Sequence, residues 1–187
     1  MKKTIILLSV ISILLAGLLS CAGTPEEKLP SDVPKFYLNP PQADDAIYGV
    51  GSARMSKLDT SRKMAVARAR EDIAFQVNAV IKAAITDYAQ EAGVDGGNQV
   101  ISFVETISKQ ITNTRLKGAK TEDVYVSKDG TVFALVVYPV GEFLGDAENE
   151  FVRNEDAAFA EFKAAEAAKR LEYELNNNPP TSNPVTD

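Results

Sequence analysis

The apolar residues of the chain recur with different periods in different segments, and these periods predict its helices and strands. Residues 47–53 (IYGVGSA) alternate and are bounded by turn-forming residues, which predicts a strand. From about residue 60 to residue 92, apolar residues recur every three or four positions, which predicts one long amphipathic helix. The stripe consists of Val66, Ala69, Ile73, Val77, Val80, Ala84 and Tyr88, widened by Ile81 and Ile85. We expect Gly93 to end this helix, because glycine readily adopts the left-handed cap conformation.

The second half of the chain predicts another helix and a β-hairpin. The helix is indicated by the apolar residues Val100, Phe103, Val104, Ile107 and Ile111. Residues 112–126 predict a strand with a bulge at Gly118, and Lys128-Asp129-Gly130 predicts a hairpin turn. Residues 131–139 (TVFALVVYP) form the strongest predicted strand, and both of its faces are apolar. We therefore expect the long helix to cover one face and a further element, or a partner, to cover the other.

A further helix is predicted over residues 146–176, followed by a disordered tail over residues 177–187. The helix has a narrow apolar stripe made of Phe151, Ala158, Phe162, Ala165 and Ala168, with Leu171 and Leu175 as its extension. Its other positions are mostly alanine and charged residues. We expect such a helix to pack on the open face of the sheet or to pair with a copy of itself. The tail is rich in asparagine and proline, a composition typical of disorder.

The amino-terminal segment, residues 1–20, has the layout of a secretory signal peptide. Lys2 and Lys3 precede an apolar run that is shorter than the ~20 residues of a spanning helix. Leu18-Leu19-Ser20-Cys21 resembles the lipoprotein box of bacteria, which implies a diacylglyceryl group on the Cys21 sulfur, cleavage before Cys21 and acylation of the new amine. By resemblance to diderm lipoproteins, Ala22 in place of aspartate favours the outer membrane. A plain secretory signal and an uncleaved anchor are the alternatives.

Composition narrows the chemistry that the protein can perform. The 187 residues contain one cysteine, no histidine and no tryptophan, and the net charge is −6. Without histidine or a second cysteine, the chain lacks the commonest general base and metal ligand and cannot form an internal disulfide. Its acidity disfavours nucleic acid, which requires Lys and Arg at the phosphates. It also predicts that anchoring depends on lipid rather than on the protein surface.

Residues 21–46 predict a spacer between the anchor and the folded domain. The stretch contains five prolines, each of which fixes φ and removes a hydrogen-bond donor: Pro25, Pro30, Pro34, Pro40 and Pro41. Phe36, Tyr37 and Leu38 interrupt the spacer. We expect these three apolar residues to dock on the edge of the domain.

Several motifs together resemble the Lpp-twenty lipoprotein family, which is related to flagellar lipoproteins of the FlgP type. After the lipoprotein box come PKFYLNPP, IYGVGSA, MAVARAREDIAFQV and TNTRLKGAKTEDVYVSKDGTVFALVVYP, so the resemblance covers roughly residues 34–139. The most specific pieces are YGVGSA and the A-x-x-x-A-R pattern of residues 65–70. In one departure, Phe36 stands where the family often has tryptophan. The resemblance implies an α+β domain over residues 47–145, with a long helix on a small antiparallel sheet. The additional C-terminal helix lies outside it.

Three groups of residues are candidates for a site. Gly49 and Gly51 look like part of a dinucleotide-binding loop, but Arg54 replaces its third glycine, so we interpret them as structural glycines that let the long helix approach the strand. Arg54, Arg62 and Lys63 belong to a basic neighbourhood that either pairs with nearby acids and solvent or binds an acidic partner. The remaining members are Lys57, Arg68 and Arg70. Within each of the acidic pairs 44–45 and 122–123, the two adjacent side chains point to opposite faces. Neither pair therefore predicts catalysis or a metal site.

These features predict a non-catalytic outer-membrane lipoprotein with no cofactor and no metal. Membrane lipid would be its partner through acylated Cys21, and other envelope proteins, or copies of itself, would be its protein partners. The family resemblance implies an envelope component, of which those associated with flagella or motility are one kind, and leaves open whether the domain faces the periplasm or the cell surface. The alternative is a small-ligand or lipid-binding periplasmic module, with a pocket between the long helix and the sheet.

Overall fold

A computed structural model describes residues 32–94, 97–113, 116 and 118–181. In chain order the elements are α1 (Lys35–Leu38), β1 (Ala46–Ala53), α2 (Leu58–Glu91), α3 (Asn98–Asn113), β2 (Lys120–Val126), β3 (Val132–Pro139), α4 (Val140–Asn154) and α5 (Ala164–Asn177). A 3₁₀ turn, Glu155–Ala157, follows α4. The predicted signal peptide, Cys21, the first part of the spacer and the end of the tail lie outside the described residues.

The three strands form one antiparallel sheet in the order β1-β3-β2. The central strand, β3, is buried or half-buried at every position, so the prediction that both of its faces are covered is confirmed. Alternate residues, Val132, Ala134, Val136 and Tyr138, belong to the core beneath α2. The predicted hairpin turn is also confirmed, because the Ser127 amide donates to the Thr131 carbonyl at 2.8 Å and Gly130 has φ of 87°.

Helix α2 confirms the predicted long helix and connects the sheet to a helical layer. It has 34 residues and is therefore about 50 Å long. Its amino-terminal and middle turns lie on β1, as shown by a 2.8 Å hydrogen bond from the Gln76 side chain to the Tyr48 carbonyl. Its last turns pack against the carboxy-terminal segment, where Tyr88 donates to the Glu161 carbonyl at 2.6 Å. Gly93 follows with φ of 73°, which confirms the predicted cap. The fold is α+β.

The approach of α2 to β1 depends on two positions without side chains. A Cβ atom at Gly49 would lie 2.2 Å from the Ala69 carbonyl oxygen, and one at Gly51 would lie 2.3 Å from that of Ala65. Both contacts are with helix backbone, which cannot rotate away. The interface is therefore filled by backbone packed on backbone, and it leaves no room for a ligand between α2 and this part of β1.

The prediction of one continuous helix over residues 146–176 is wrong. Helix α4 begins at Val140, directly after β3, and ends at Asn154, whereas α5 begins at Ala164. Between them, Phe159 and Phe162 turn inward and pack on Phe103 of α3, with ring centroids 6.2 and 4.6 Å from it. Burying both rings in this cluster outweighs the helical preference of the surrounding alanines. Helix α5 packs on α2 and α4, not on the open face of the sheet.

The predicted strand over residues 112–126 is also too long. Helix α3 continues to Asn113, and β2 begins only at Lys120. The bulge lies between Thr121 and Asp123, not at Gly118. Gly118 instead packs against the side chains of Glu142 and Tyr138, where a Cβ atom would approach Glu142 Cβ within 2.9 Å.

We expect Gly51→Ala to lower the free energy of unfolding by about 2 kcal/mol or more, because the new methyl group would overlap the α2 backbone. Urea denaturation of the purified protein, followed by far-ultraviolet circular dichroism, measures this change. Gly145→Ala is the matched control, since it lies inside α4 with open space around its Cβ position. It should raise stability by about 0.5–1 kcal/mol. Equal effects of the two substitutions would contradict the close approach.

Candidate functional site

The edge of β1 is covered by three side chains of α2. Arg68 donates to the Ser52 carbonyl at 2.8 Å, the Val50 amide donates to Asp72 Oδ2 at 3.0 Å, and Gln76 bonds the Tyr48 carbonyl as described above. These α2 residues are spaced by four, so they share one helix face and follow the strand edge step by step. They engage polar groups that an edge strand otherwise offers to another strand. This covering of the strand edge was not predicted from the sequence, although the four-residue spacing of Arg68, Asp72 and Gln76 is visible there.

The face of the sheet opposite α2 is covered by residues 32–38, which we call the strap. The Tyr37 ring packs edge-on against Phe133, with centroids 4.9 Å apart, and its hydroxyl lies 3.2 Å from Ser52 Oγ. Val50 and Leu135, on this same face, are buried. Docking of the spacer's apolar residues is thus observed for Tyr37, but on the sheet face and not at an edge. Leu38 remains exposed.

Asp32 fixes the start of the strap to the β2–β3 turn. Its carboxylate accepts hydrogen bonds from the Lys128 amide at 2.9 Å, the Ser127 hydroxyl at 2.8 Å and the Tyr125 hydroxyl at 3.2 Å. These donors, the Lys128 amide foremost, hold the pKa of Asp32 below its usual range. The amino-terminal chain therefore enters the domain at the turn, although more than 90 residues separate the partners in sequence.

A second carboxylate, Asp129, organises the same turn. It lies 2.6 Å from Ser127 Oγ and shares the single Ser127 hydroxyl proton with Asp32, and it accepts from the Thr131 amide at 2.9 Å and the Thr131 hydroxyl at 3.1 Å. These bonds, led by that of Ser127 and assisted by the Arg54 charge, lower the pKa of Asp129 to about 2. Asp129 is thus ionised at neutral pH, and its carboxylate is hydrogen-bonded within the turn.

The predicted basic neighbourhood divides into two groups. Arg68 and Arg70 donate to backbone carbonyls, the latter to Ala119 at 2.8 Å, and so connect α2 to neighbouring segments. Arg54 lies 3.5 Å from Asp129, and Lys63 forms a 2.7 Å pair with Asp59. Three of these side chains are largely solvated, whereas that of Asp129 is 37% exposed. Exposed pairs of this kind stabilise a fold by only about 0–1 kcal/mol. Arg62 is exposed on the same turn of α2.

An open cavity of about 250 Å³ lies away from these groups, between α3 and the segment that follows α4. Phe103, Thr106, Asn154 and Phe159 line it, and none of its lining residues is ionisable. Across the described residues, no three acidic or cysteine side chains come close enough together to hold a metal ion. The cavity therefore offers shape and hydrogen bonds, and its lining places no ionisable acid or base beside the Ser102 and Thr106 hydroxyls.

The family model of the LPP20 lipoproteins matches residues 34–138, from the strap to the end of β3. The chain belongs to the LPP20 lipoprotein family. The resemblance found in the sequence is thereby confirmed, and the protein is a lipoprotein attached to a membrane through lipid. The LPP20 match includes the strap, the sheet, α2 and α3, and it ends where α4 begins. No curated protein and no solved structure matches the chain. In the part of the chain that the structure describes, no helix is long and apolar enough to cross a bilayer.

Removing the Asp32 carboxylate should release the strap of this LPP20 protein. We expect Asp32→Ala to speed amide hydrogen exchange over residues 32–38 and in the turn, because three hydrogen bonds are lost. Hydrogen–deuterium exchange with mass spectrometry measures it. Asp44→Ala is the matched control, since Asp44 is an exposed carboxylate of the same spacer. Unchanged exchange in the Asp32 variant would contradict this attachment of the strap to the turn, which we call the clamp at Asp32.

The turn should also confer a defined pH dependence on stability. Because the folded-state pKa of Asp129 is about 2, below the ordinary 3.8, its stabilisation is present above about pH 4 and is lost as the pH falls through 2. We expect the free energy of unfolding to decrease between pH 4 and pH 2, and to decrease less in Asp129→Asn. Urea denaturation at each pH checks this. A variant with the same slope as the wild type would rule out the assignment.

Proposed function

We propose that this LPP20 protein is anchored in the outer membrane through acyl chains on Cys21, and that it acts without catalysis, by contact with other proteins of the cell envelope. The observation that carries the proposal is the family match beginning at residue 34, a short distance after Leu18-Leu19-Ser20-Cys21. The apolar Leu18 and the small Ser20 fit a lipoprotein-processing site. One acyl chain anchors only marginally, whereas several chains on one residue give durable attachment.

The chemistry of the described surface supports a non-catalytic role. The acidic pair Asp44-Asp45 is exposed, and Glu122-Asp123 lies on the exposed strand β2, so neither pair converges in a cleft. The open cavity near α3 has no ionisable lining. Catalysis by a side chain would require a group of suitable pKa positioned beside a bound substrate.

The fold also changes which surfaces are available for contact between copies. The sequence left open whether a partner covers the second apolar face of β3. In the structure, Tyr37 of the strap packs on this face. Helix α5 is engaged by α2, where Arg170 forms an ion pair with Glu91. The edge of β1 carries hydrogen bonds from α2. A partner, including a second copy, would therefore bind outside these three places.

The helix–sheet pocket of the alternative function does not form at Gly49 and Gly51, where α2 and β1 are in backbone contact. The open cavity near α3 lies elsewhere, and its small, non-ionisable lining gives a ligand little to recognise. These observations favour the contact role over a small-ligand module.

Substitution of Cys21 tests the anchor. We expect Cys21→Ser to remain uncleaved, to carry no acyl chains and to stay out of the outer-membrane fraction, because the acceptor sulfur is missing. Intact-protein mass spectrometry and separation of the two membranes on a density gradient measure these properties. Ser20→Ala is the matched control and should be processed normally, since it keeps a small residue before the cysteine. A serine variant that is cleaved and distributed like the wild type would refute the proposal.

A further inference from the structure

The chain enters the folded domain at one end of the sheet. Asp32 is bonded to the turn between β2 and β3, through Ser127 and Lys128. The strand register places Ala53, Val126 and Val132 at this same end, next to the loop that leads into α2. The Arg54–Asp129 pair joins that loop to the turn. We call residues 54–63 together with residues 125–130 the entry end of the domain.

The clamp at Asp32 sets how far the entry end can stand from an anchor on Cys21. Ten residues lie between the two positions, and the eleven steps from one Cα to the next span at most about 40 Å. Helix α2 starts at the entry end and runs about 50 Å away from it. The tether is thus shorter than the domain is long. An inverted orientation, with α2 perpendicular to the bilayer and Glu91 nearest to it, is therefore out of reach while Asp32 stays clamped.

The entry end exposes apolar side chains. Met55, Leu58 and Val126 are 46%, 57% and 46% exposed. They lie on the loop, on the first turn of α2 and on the last residue of β2. Because α2 and the hairpin meet here, these side chains come from separate parts of the chain and form one end surface. Side chains of this kind are suited to the boundary between headgroups and acyl chains.

The same end is basic, in contrast to the rest of the protein. Its cations are Arg54, Lys57, Arg62, Lys63 and Lys128, against the carboxylates Asp59 and Asp129 and the clamped Asp32. Asp129 pairs with Arg54 and Asp59 with Lys63, and the five cations and three carboxylates together give a net charge of +2. At the opposite end, residues 155–177 contain six acidic and three basic residues, and the whole chain has a net charge of −6. The domain is therefore electrically polarised along its long axis, with net positive charge at the entry end and net negative charge at the opposite end.

We propose that the entry end is a membrane-docking surface that rests on anionic phospholipid. The cations would contact lipid phosphates, and Met55, Leu58 and Val126 would enter the headgroup boundary. The opposite, acidic end would point away from the bilayer. This inference rests on the proposed acylation of Cys21, which brings the entry end to the membrane. The competing hypothesis is that an acidic protein, and not lipid, binds these cations.

The lack of tryptophan in the chain makes a direct test possible. Leu58→Trp places one fluorophore at the entry end, and Tyr173→Trp places one at the other end, where Tyr173 stacks on Arg170 beside Glu91. The two native residues are matched in exposure, at 57% and 54%. Each mature variant, beginning at acylated Cys21, is purified and reconstituted into vesicles of phosphatidylcholine and phosphatidylglycerol with brominated acyl chains.

We expect the emission of Leu58→Trp to shift to shorter wavelength and to be strongly quenched by the brominated chains. The emission of Tyr173→Trp should keep the wavelength and intensity that it has in vesicles without bromine. Adding Lys57→Glu and Lys128→Glu to the Leu58→Trp variant should weaken the quenching, whereas Lys163→Glu and Lys169→Glu should not. Circular dichroism checks that each variant is folded.

Two results would overturn the inference. If the tryptophan at position 58 is quenched no more than the one at position 173, the entry end faces water or a protein and not lipid. If charge reversal at the opposite end weakens quenching as much as reversal at the entry end, the basic surface does not direct docking. Mass spectrometry of the same samples separates this failure from that of the proposed function. Protein without acyl chains on Cys21 refutes both, whereas acylated protein without selective quenching refutes docking alone.

Discussion

The contact between the backbone of α2 and the backbone of β1 is the constraint on which the rest of the structure depends. It exists because Gly49 and Gly51 present no side chain to the helix. At this short separation, Arg68, Asp72 and Gln76 reach polar groups of the strand edge, so one feature both builds the core and closes an edge to further strands. Closing that edge suits a protein held at high local concentration on a membrane, where edge-to-edge pairing would be favoured.

The strap covers the other face of the sheet, as α2 covers the first. Tyr37 covers Phe133, and Asp32 holds the β2–β3 turn, so this part of the predicted spacer belongs to the folded domain. An anchor on Cys21 would then be joined to the domain at Asp32 through only the ten residues between them. The family match begins at residue 34, inside the strap, which is consistent with a structural role for this segment and not that of a passive linker.

The sequence predicted the elements whose signal is local and missed those that depend on distant contacts. Helix α2 and strand β3 followed from apolar periodicity, and the turn followed from Asp129-Gly130, because each signal lies within a few residues. The break between α4 and α5 did not, since its cause is the packing of Phe159 and Phe162 on Phe103, far away in the chain. The clamp at Asp32 was equally hidden, because an aspartate in a proline-rich stretch carries no sign of its partners. The sequence identified the basic residues of the candidate site. Only the structure shows which of them bond to the backbone, as Arg68 and Arg70 do, and which form surface pairs, as Arg54 and Lys63 do.

A weak docking surface is sufficient when attachment is covalent. Acyl chains on one residue would supply the affinity for the bilayer, so a few cations and exposed side chains such as Leu58 need only select an orientation. Such docking would allow a protein with a net charge of −6 to face an anionic membrane. Charges beyond about 10 Å are largely screened at physiological salt, so the acidic residues near Glu91, some 50 Å along α2, would oppose docking little. The same acidic end would then be the part of the domain most accessible to envelope proteins.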